Sequence, residues 1–340
     1  MTTSPSTTSR ESWRKAAGGV PLSTRILAIV PWVIGLALLA YAYNAGGYVI
    51  SIVNFALIYA IFVTGLNLFM GYAGQVSFGQ NAFAGISGYT SAILTATYGW
   101  PPLAALVAGV VGALVAAAVI GYPTLRLKGH YLAMATLAVG LIVYEVAVEW
   151  DSVTAGYMGI SGIPPMGIGG FEAYSDQAML IMLAVVAVLA VLAAAGIRHS
   201  RLGRALVAIA GSEEAARALG INVARYKLIA FLISAAYAAI AGSLFVHVVG
   251  FVSPEVFGLH MVILAFTMLY IGGIGTILGP LIGAVIINVL PETFREFKDY
   301  QDLAYGAALI LILIYMPRGI AGLAESWRER RQAALEEQHS

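Results

Sequence analysis

Apolar residues run along this chain in blocks of about twenty, divided by short polar breaks. The blocks fall at roughly 26–43, 49–70, 76–97, 102–122, 131–150, 178–197 and 228–249. A glycine-broken stretch follows over 260–290, then a last block at 302–316. A bilayer core about 30 Å thick takes roughly 20 apolar residues per helix, so each unbroken block predicts one membrane-spanning helix. One polar interruption is longer than the others. It covers 198–227 and reads RHSRLGRALVAIAGSEEAARALGINVARYK. Within it Ser212 is placed to cap a short helix, Glu213 and Glu214 fill the first turn, and Gly220 can end it. Acidic side chains suit the positive end of a helix, and glycine accepts the left-handed turn that closes one. A membrane protein that concentrates polar residues in one capped helix has something to dock there.

Composition fits this pattern. Of 340 residues, 60% are hydrophobic and 10% charged, against about 25% charged in a soluble domain; the mean hydropathy is +0.87. The chain reads as an all-α, polytopic membrane bundle. A net charge of +1 carries no signal for nucleic acid, and without cysteine there is no disulfide, thiolate metal site or thiol nucleophile.

Charge gives the orientation. With the N-terminus inside, 16 of the 18 basic residues fall on the cytoplasmic side and only Arg295 and Lys298 outside, as positive-inside topology asks. Seven spans leave 251–259 outside, so 260–290 must dip in and return. Two short helices hinged over 271–275, at Gly272, Gly273 and Gly275, satisfy that parity. Irregular backbone at membrane depth is tolerated only under protein cover or beside a water-filled cavity, which places this pair in the interior. The total is about ten helical segments. Residues 1–25 are polar and Ser/Thr-rich and read as a disordered cytoplasmic tail; 26–318 form the membrane domain; 319–340 form a charged cytoplasmic tail. A signal peptide is the rival reading of the N-terminus, but 26–43 is long for one and 44–46 is a poor cleavage site.

Several polar groups interrupt the apolar blocks. Gly74, Ser77, Asn81, Gly85 and Gly88 recur at intervals of three and four, and so share one helix face. Such a stripe serves close helix packing or lines a path. Gln75, Gln80 and Asn81 exceed what packing requires, and amides within a membrane are functional candidates. Thr64 and Asn67 can face the same interior from the preceding helix. Glu145 and Glu149 lack the histidine or second buried acid that a proton relay needs. His247 and His260 have no partner at metal-ligand spacing and read as structural. The loop 154–165 is rich in turn residues, yet carries Tyr157, Met158 and Ile160. Folding back onto the protein or meeting an external partner would explain them. No Walker A loop, nucleophile elbow, zinc motif or dinucleotide fingerprint occurs, so energy for active transport must come from an ion gradient or from another chain. Without a clear intramembrane ion-coupling group, a partner is the better source.

Taken together, Gly65-Leu66-Asn67-Leu68 running into 71–92, PTLRLKGHYLAMATLAVG at 123–140, TAGYMGISGIP at 154–164, GRALVAIAGSEEAARALGI at 203–221, GFVSPE at 250–255 and GGIGTILGPLIGA at 272–284 carry a resemblance. The chain resembles the M-type (LivM-type) permease subunits of branched-chain amino acid ABC importers, over roughly residues 50–320. The resemblance implies a pore shared with a homologous H-type permease, two cytoplasmic ATPase subunits that bind the ATP, and a periplasmic or extracellular substrate-binding protein. It implies a bacterial inner-membrane location, and no cofactor or metal on this chain. It makes 212–219 a coupling helix, with Ser212, Glu213, Glu214, Ala215, Ala216, Arg217 and Gly220 as coupling residues. Departures are Gly211, where the family often has a charge, Ala155, where it often has glycine, and the absence of a Leu-Pro after the coupling motif. Thr64, Asn67, Gln75, Ser77, Gln80 and Asn81 are the candidate path residues. The expected cargo is a branched-chain or other hydrophobic amino acid, with urea, short amides and aromatic acids as alternatives. An ion-coupled carrier and a membrane enzyme are the rival classes.

Overall fold

In a computed structural model, the structure describes residues 37–168, 171–172 and 175–293, with isolated positions at 35, 303, 306, 307, 310, 314, 319 and 320. The tails expected at 1–25 and beyond 320, and most of the block at 302–316, lie outside the described residues. The chain divides into two units at Gly46. In the first, residues 37–44 are helical and Asn44 Nδ2 donates to the Ala40 carbonyl at 2.8 Å. Everything below concerns the second.

Helix α1 (Gly47–Asn67) runs directly into a π-helical turn, Leu68–Tyr72. Then come α2 (Gln80–Ala96), α3 (Pro102–Thr124), α4 (His130–Glu149) and a one-turn α5 (Asp151–Thr154). After short strands β1 (Ile160–Ser161), β2 (Gly167–Ile168) and β3 (Phe171–Glu172), the chain forms α6 (Asp176–His199), α7 (Arg201–Gly211) and α8 (Glu213–Ala218). Helix α9 (Val223–Val249) leads through β4 (Phe251–Val252) and the 3-10 turn Pro254–Phe257 into α10 (Leu259–Gly272) and α11 (Gly279–Thr293). Six described helical segments are long and apolar enough to cross a membrane, by length and composition. The architecture is an all-α, multi-pass membrane bundle.

Helix α3 follows a pattern opposite to that of a soluble helix. On α3 the buried positions are Ala105, Gly109, Ala113, Ala117 and Gly121, while Val107, Val111, Val115 and Val119 are exposed. Lipid is as apolar as valine, so the bundle gains by packing small residues inward, where backbones can approach. At the centre α9 packs against α2, α1 and α3, and α2 packs against α3. A Cβ on Gly242 of α9 would overlap the Ala84 carbonyl of α2, so these two backbones touch. Helix α1 also packs against α6 and α11. Phe83 and Phe69 both meet the Phe231 ring edge-on, at 5.4 and 5.3 Å.

One element differs from the sequence expectation and one matches it. The third block does not start its helix near residue 76. Gly74 adopts φ +65°, residues 74–79 are irregular, and α2 begins at Gln80. Gly74 and Ser77 therefore do not share a helix face with Asn81, Gly85 and Gly88. The irregular stretch is partly covered: Gln75, Ser77 and Gly79 are buried, while Gly74 and Val76 are exposed. Conversely, the expected glycine-broken pair is present. Helices α10 and α11 pack together as a hairpin, turning through 273–278 with Gly273 and Gly275 at positive φ. Gly272 and Gly283 are needed for close approach, since a Cβ on either would strike the Gly279 or the Met268 carbonyl.

At the end of the bundle opposite α8, the loop after α5 folds back. Ile160 pairs with Val252 and Ser161 with Phe251 in an antiparallel bridge. Buried His247 joins this to the core: one ring nitrogen lies 2.8 Å from Ser91 Oγ, the other 2.7 Å from the Pro164 carbonyl. His247 is thus structural, and His260 is exposed. Ile160 accounts for its own presence by pairing, whereas Tyr157 and Met158 stay exposed. Glu145 and Glu149 are exposed too.

Candidate functional site

Three places gather polar chemistry. The first is α8. Ser200 caps α7 through Gly203 N–H at 3.3 Å, and Ser212 caps α8 through Ala215 N–H at 3.2 Å. Gly220 at φ +82° lets the chain leave α8, and its N–H returns to the Arg217 carbonyl. Ala216 is the one fully buried residue of α8 and packs with Ile209 and Val223, backed by Ile221 and Tyr226. Glu214, Ala215, Arg217 and Leu219 are exposed. The helix is seated by one small residue and shows its remaining surface outward.

Glu213 turns the other way. Its carboxylate forms an ion pair with Lys227 of α9 and accepts from Gln75 Nε2 at 3.2 Å. The Lys227 side chain is only 3% exposed and that of Glu213 19%. Burial tends to raise the Glu213 carboxyl, but hydrogen bonding and charge from Lys227, helped by the Gln75 amide, outweigh it. The group is held below its ordinary value. An ion in a poorly hydrated site is tolerated when paired and hydrogen-bonded, and here both conditions are met. Gln75, expected on the path, therefore belongs to the α8 seat. Lys227 was not anticipated. Its only signal in the sequence was its place at the edge of the apolar run 228–249.

The second place is the hairpin turn. Asn67, the last residue of α1, donates from Nδ2 to the Thr276 carbonyl at 2.7 Å and accepts at Oδ1 from Gly275 N–H at 2.8 Å. Both halves of its amide are spent on the backbone of the turn, so Asn67 clamps the hairpin to α1. Gly71 fits in the same contact, with a Cβ there falling 2.6 Å from Gly275 N. Thr64 is also occupied, donating to the Ala60 carbonyl at 2.6 Å.

The third place is a small cavity between α1, α2 and α10. It is lined by Ser77, Gln80 and Asn81 together with Phe62, Leu66, Phe78, Val262, Ala265 and Phe266. The Phe78 and Phe266 rings stack at 4.4 Å. Phe78 N–H donates to Thr136 Oγ1 of α4 at 3.0 Å, and Asn81 Nδ2 donates to the Phe257 carbonyl at 2.8 Å. Gln80 is 3% exposed, and neither of its amide atoms has a partner; nor does Asn81 Oδ1. Of the six expected path residues, three line one cavity and three serve elsewhere. Among the described residues no cluster of histidine, aspartate and glutamate could hold a metal ion.

One family model matches the chain. Its description is "Branched-chain amino acid transport system / permease component", and it matches residues 48–316. The permease protein LivM of Salmonella typhimurium, from a high-affinity branched-chain amino acid transport system, is 34% identical over 299 residues, covering 80% of this chain and 69% of the relative. Escherichia coli LivM is 33% identical over the same extent. Escherichia coli LivH, a permease protein of the same kind of system, is 31% identical over 291 residues, covering 78% of this chain and 92% of the relative. No solved structure matches.

Proposed function

The chain belongs to the permease family of branched-chain amino acid transport systems, and from that premise we propose how it works. It is a transport subunit that passes branched-chain or other hydrophobic amino acids across the membrane. The energy comes from ATP hydrolysed on two partner chains docked at α8, the pore is shared with a homologous H-type permease, and a binding protein delivers cargo at the opposite end. The observation that carries the docking role is the seat of α8. The helix is exposed over most of its surface, yet is tied through Glu213 to Lys227 and Gln75. A force applied to α8 thus reaches α9 and the irregular stretch that runs into the cavity.

Charge supports the orientation. Arg126, Lys128, Arg198, Arg201, Arg204, Arg217, Arg225 and Lys227 all sit at or near the helix ends on the α8 side. The connections at 97–101, 150–175 and 250–258 contain no lysine or arginine. This asymmetry supports a cytoplasmic α8, within reach of ATP; the location that goes with this reading is the bacterial inner membrane, with both termini cytoplasmic.

The test is deletion of 212–219, or Glu214→Arg, in the assembled importer. Membrane insertion should persist while ATPase capture and uptake are lost. Transport that survives the deletion would sink the docking role. Uptake into vesicles driven by a proton gradient without ATP would replace the importer reading by that of an ion-coupled carrier.

A further inference from the structure

A buried amide paired at neither end is a costly group to retain, and a native structure that keeps one calls for a reason. Gln80 is such a group. It is the first residue of the 17-residue helix α2, so the positive end of that helix lies beside it. Its Nε2 and Oε1 are both unpartnered, and it lines the small cavity with Asn81, whose Oδ1 is also open. The opposite wall is apolar, including Phe62, Leu66 and Phe266, and no charged side chain lines the cavity.

We infer that this cavity is a substrate site of the permease itself, and that Gln80 recognises both charged ends of an aliphatic α-amino acid. Gln80 Nε2 donates to the carboxylate, at the positive end of α2, and Gln80 Oε1 accepts from the ammonium. The aliphatic side chain lies against Phe62 and Leu66. A ligand carrying donor and acceptor at one end and an apolar body at the other satisfies every open atom of Gln80. A molecule with only a carboxylate or only an ammonium leaves half of the amide unpaired. The inference rests on the importer reading and extends it, because selection for a zwitterion then resides in the membrane subunit as well as in any protein that delivers cargo. At about 10 Å³, the cavity has room for about one water, far below the roughly 300–1,000 Å³ usual for ligand pockets, so a substrate enters only if it opens. The site is therefore contracted in this conformation. Parting of the Phe78–Phe266 stack is the movement that enlarges it.

The experiment compares wild type with Gln80→Met in the assembled importer, held in nanodiscs. It measures the thermal unfolding midpoint and the equilibrium binding of radiolabelled leucine. Isoamylamine and 4-methylpentanoate, which each lack one charged end, serve as competitors. Since the Gln80 amide has no protein partner, the midpoint should hold or rise in Gln80→Met. Leucine binding should weaken by about tenfold or more, as expected when hydrogen bonds to charged groups are lost. Wild type should prefer leucine to either one-ended analogue by a similar factor. Leucine binding that is equal in the two proteins, or absent from both, overturns the site. A fall in midpoint with affinity kept does the same. Gln80-dependent binding by a chain that captures no ATPase keeps the site and sinks the importer reading. ATP-driven uptake with Gln80-independent binding does the reverse.

Discussion

Replacing Glu213 by alanine should release α8 from its seat. The Lys227 ammonium, 3% exposed, would lose its ion-pair partner, and Gln75 Nε2 would keep only its 3.2 Å bond to the Ala73 carbonyl. Removing one member of a buried pair typically costs about 3–5 kcal/mol. Glu213 is 19% exposed on its side chain, so water already screens part of the attraction, and we set the cost at about 2–4 kcal/mol. That multiplies the undocked fraction by about 30- to 700-fold. The chain contains no cysteine, and Leu219, next to α8, is 80% exposed. A spin label on Leu219→Cys therefore reports the docking of α8 without interference. The label should become mobile in Glu213→Ala. Lys227→Met should do less harm, because the carboxylate left behind can reach water. A double-mutant cycle of Glu213→Gln with Lys227→Met should give a coupling of about 1.5 kcal/mol or more. Strict additivity, or a label as immobile in Glu213→Ala as in its parent, would refute the role of the pair.

Acidification should reach the same end without a mutation. The Glu213 carboxyl is depressed below its ordinary 4.5, so its stabilisation is present above that value and is lost as pH falls through the lower, folded-state value. The Leu219→Cys label should stay immobile at neutral pH and loosen only below about pH 4.5. Asn67→Leu should strand the Thr276 carbonyl and the Gly275 N–H and lower stability by about 2–5 kcal/mol; a thermal melt that does not change would remove the clamp. Ala155 has φ 59°, strained for any residue with a Cβ, and Ala155→Gly should raise stability by about 1 kcal/mol, read as a higher unfolding midpoint. Gly242→Leu should separate α2 from α9 and prevent a stable fold, measured as loss of a monodisperse peak in detergent; a normally behaved variant would show that the Ala84 contact is not required.

Hydropathy placed α1, α3, α4, α6 and α9 to within a few residues, because a span's length and apolarity are set by the bilayer. The hairpin at 260–290 was legible through parity combined with its glycines. The start of α2 was not. An apolar run from 76 to 97 gives no sign that backbone at Gly74 turns left-handed and stays irregular to residue 79, since cover by neighbouring helices is a tertiary fact. The site was half legible for a similar reason. Ser212, Glu213 and Gly220 announce a capped helix by local chemistry alone. Which way Glu213 points depends on Lys227, fourteen residues further on. Gln75 and Gln80 look alike in the sequence, as amides five residues apart. One is bonded to Glu213, and the other is left open in a cavity. TAGYMGISGIP and GFVSPE stood out separately, but their antiparallel pairing depends on long-range contact.

The contact between Gly242 and the Ala84 carbonyl bears on how such a molecule can cycle. Where two helices meet through side chains, a layer of rotamers can give way and one helix can slide. Where main chain lies on main chain, no such layer exists. Helices α2 and α9 are then expected to travel as one piece. If the proposed importer alternates, the freedom for it is expected in what joins that piece from outside: the irregular stretch before Gln80, the hairpin turn, and α8 at the far end of its tether.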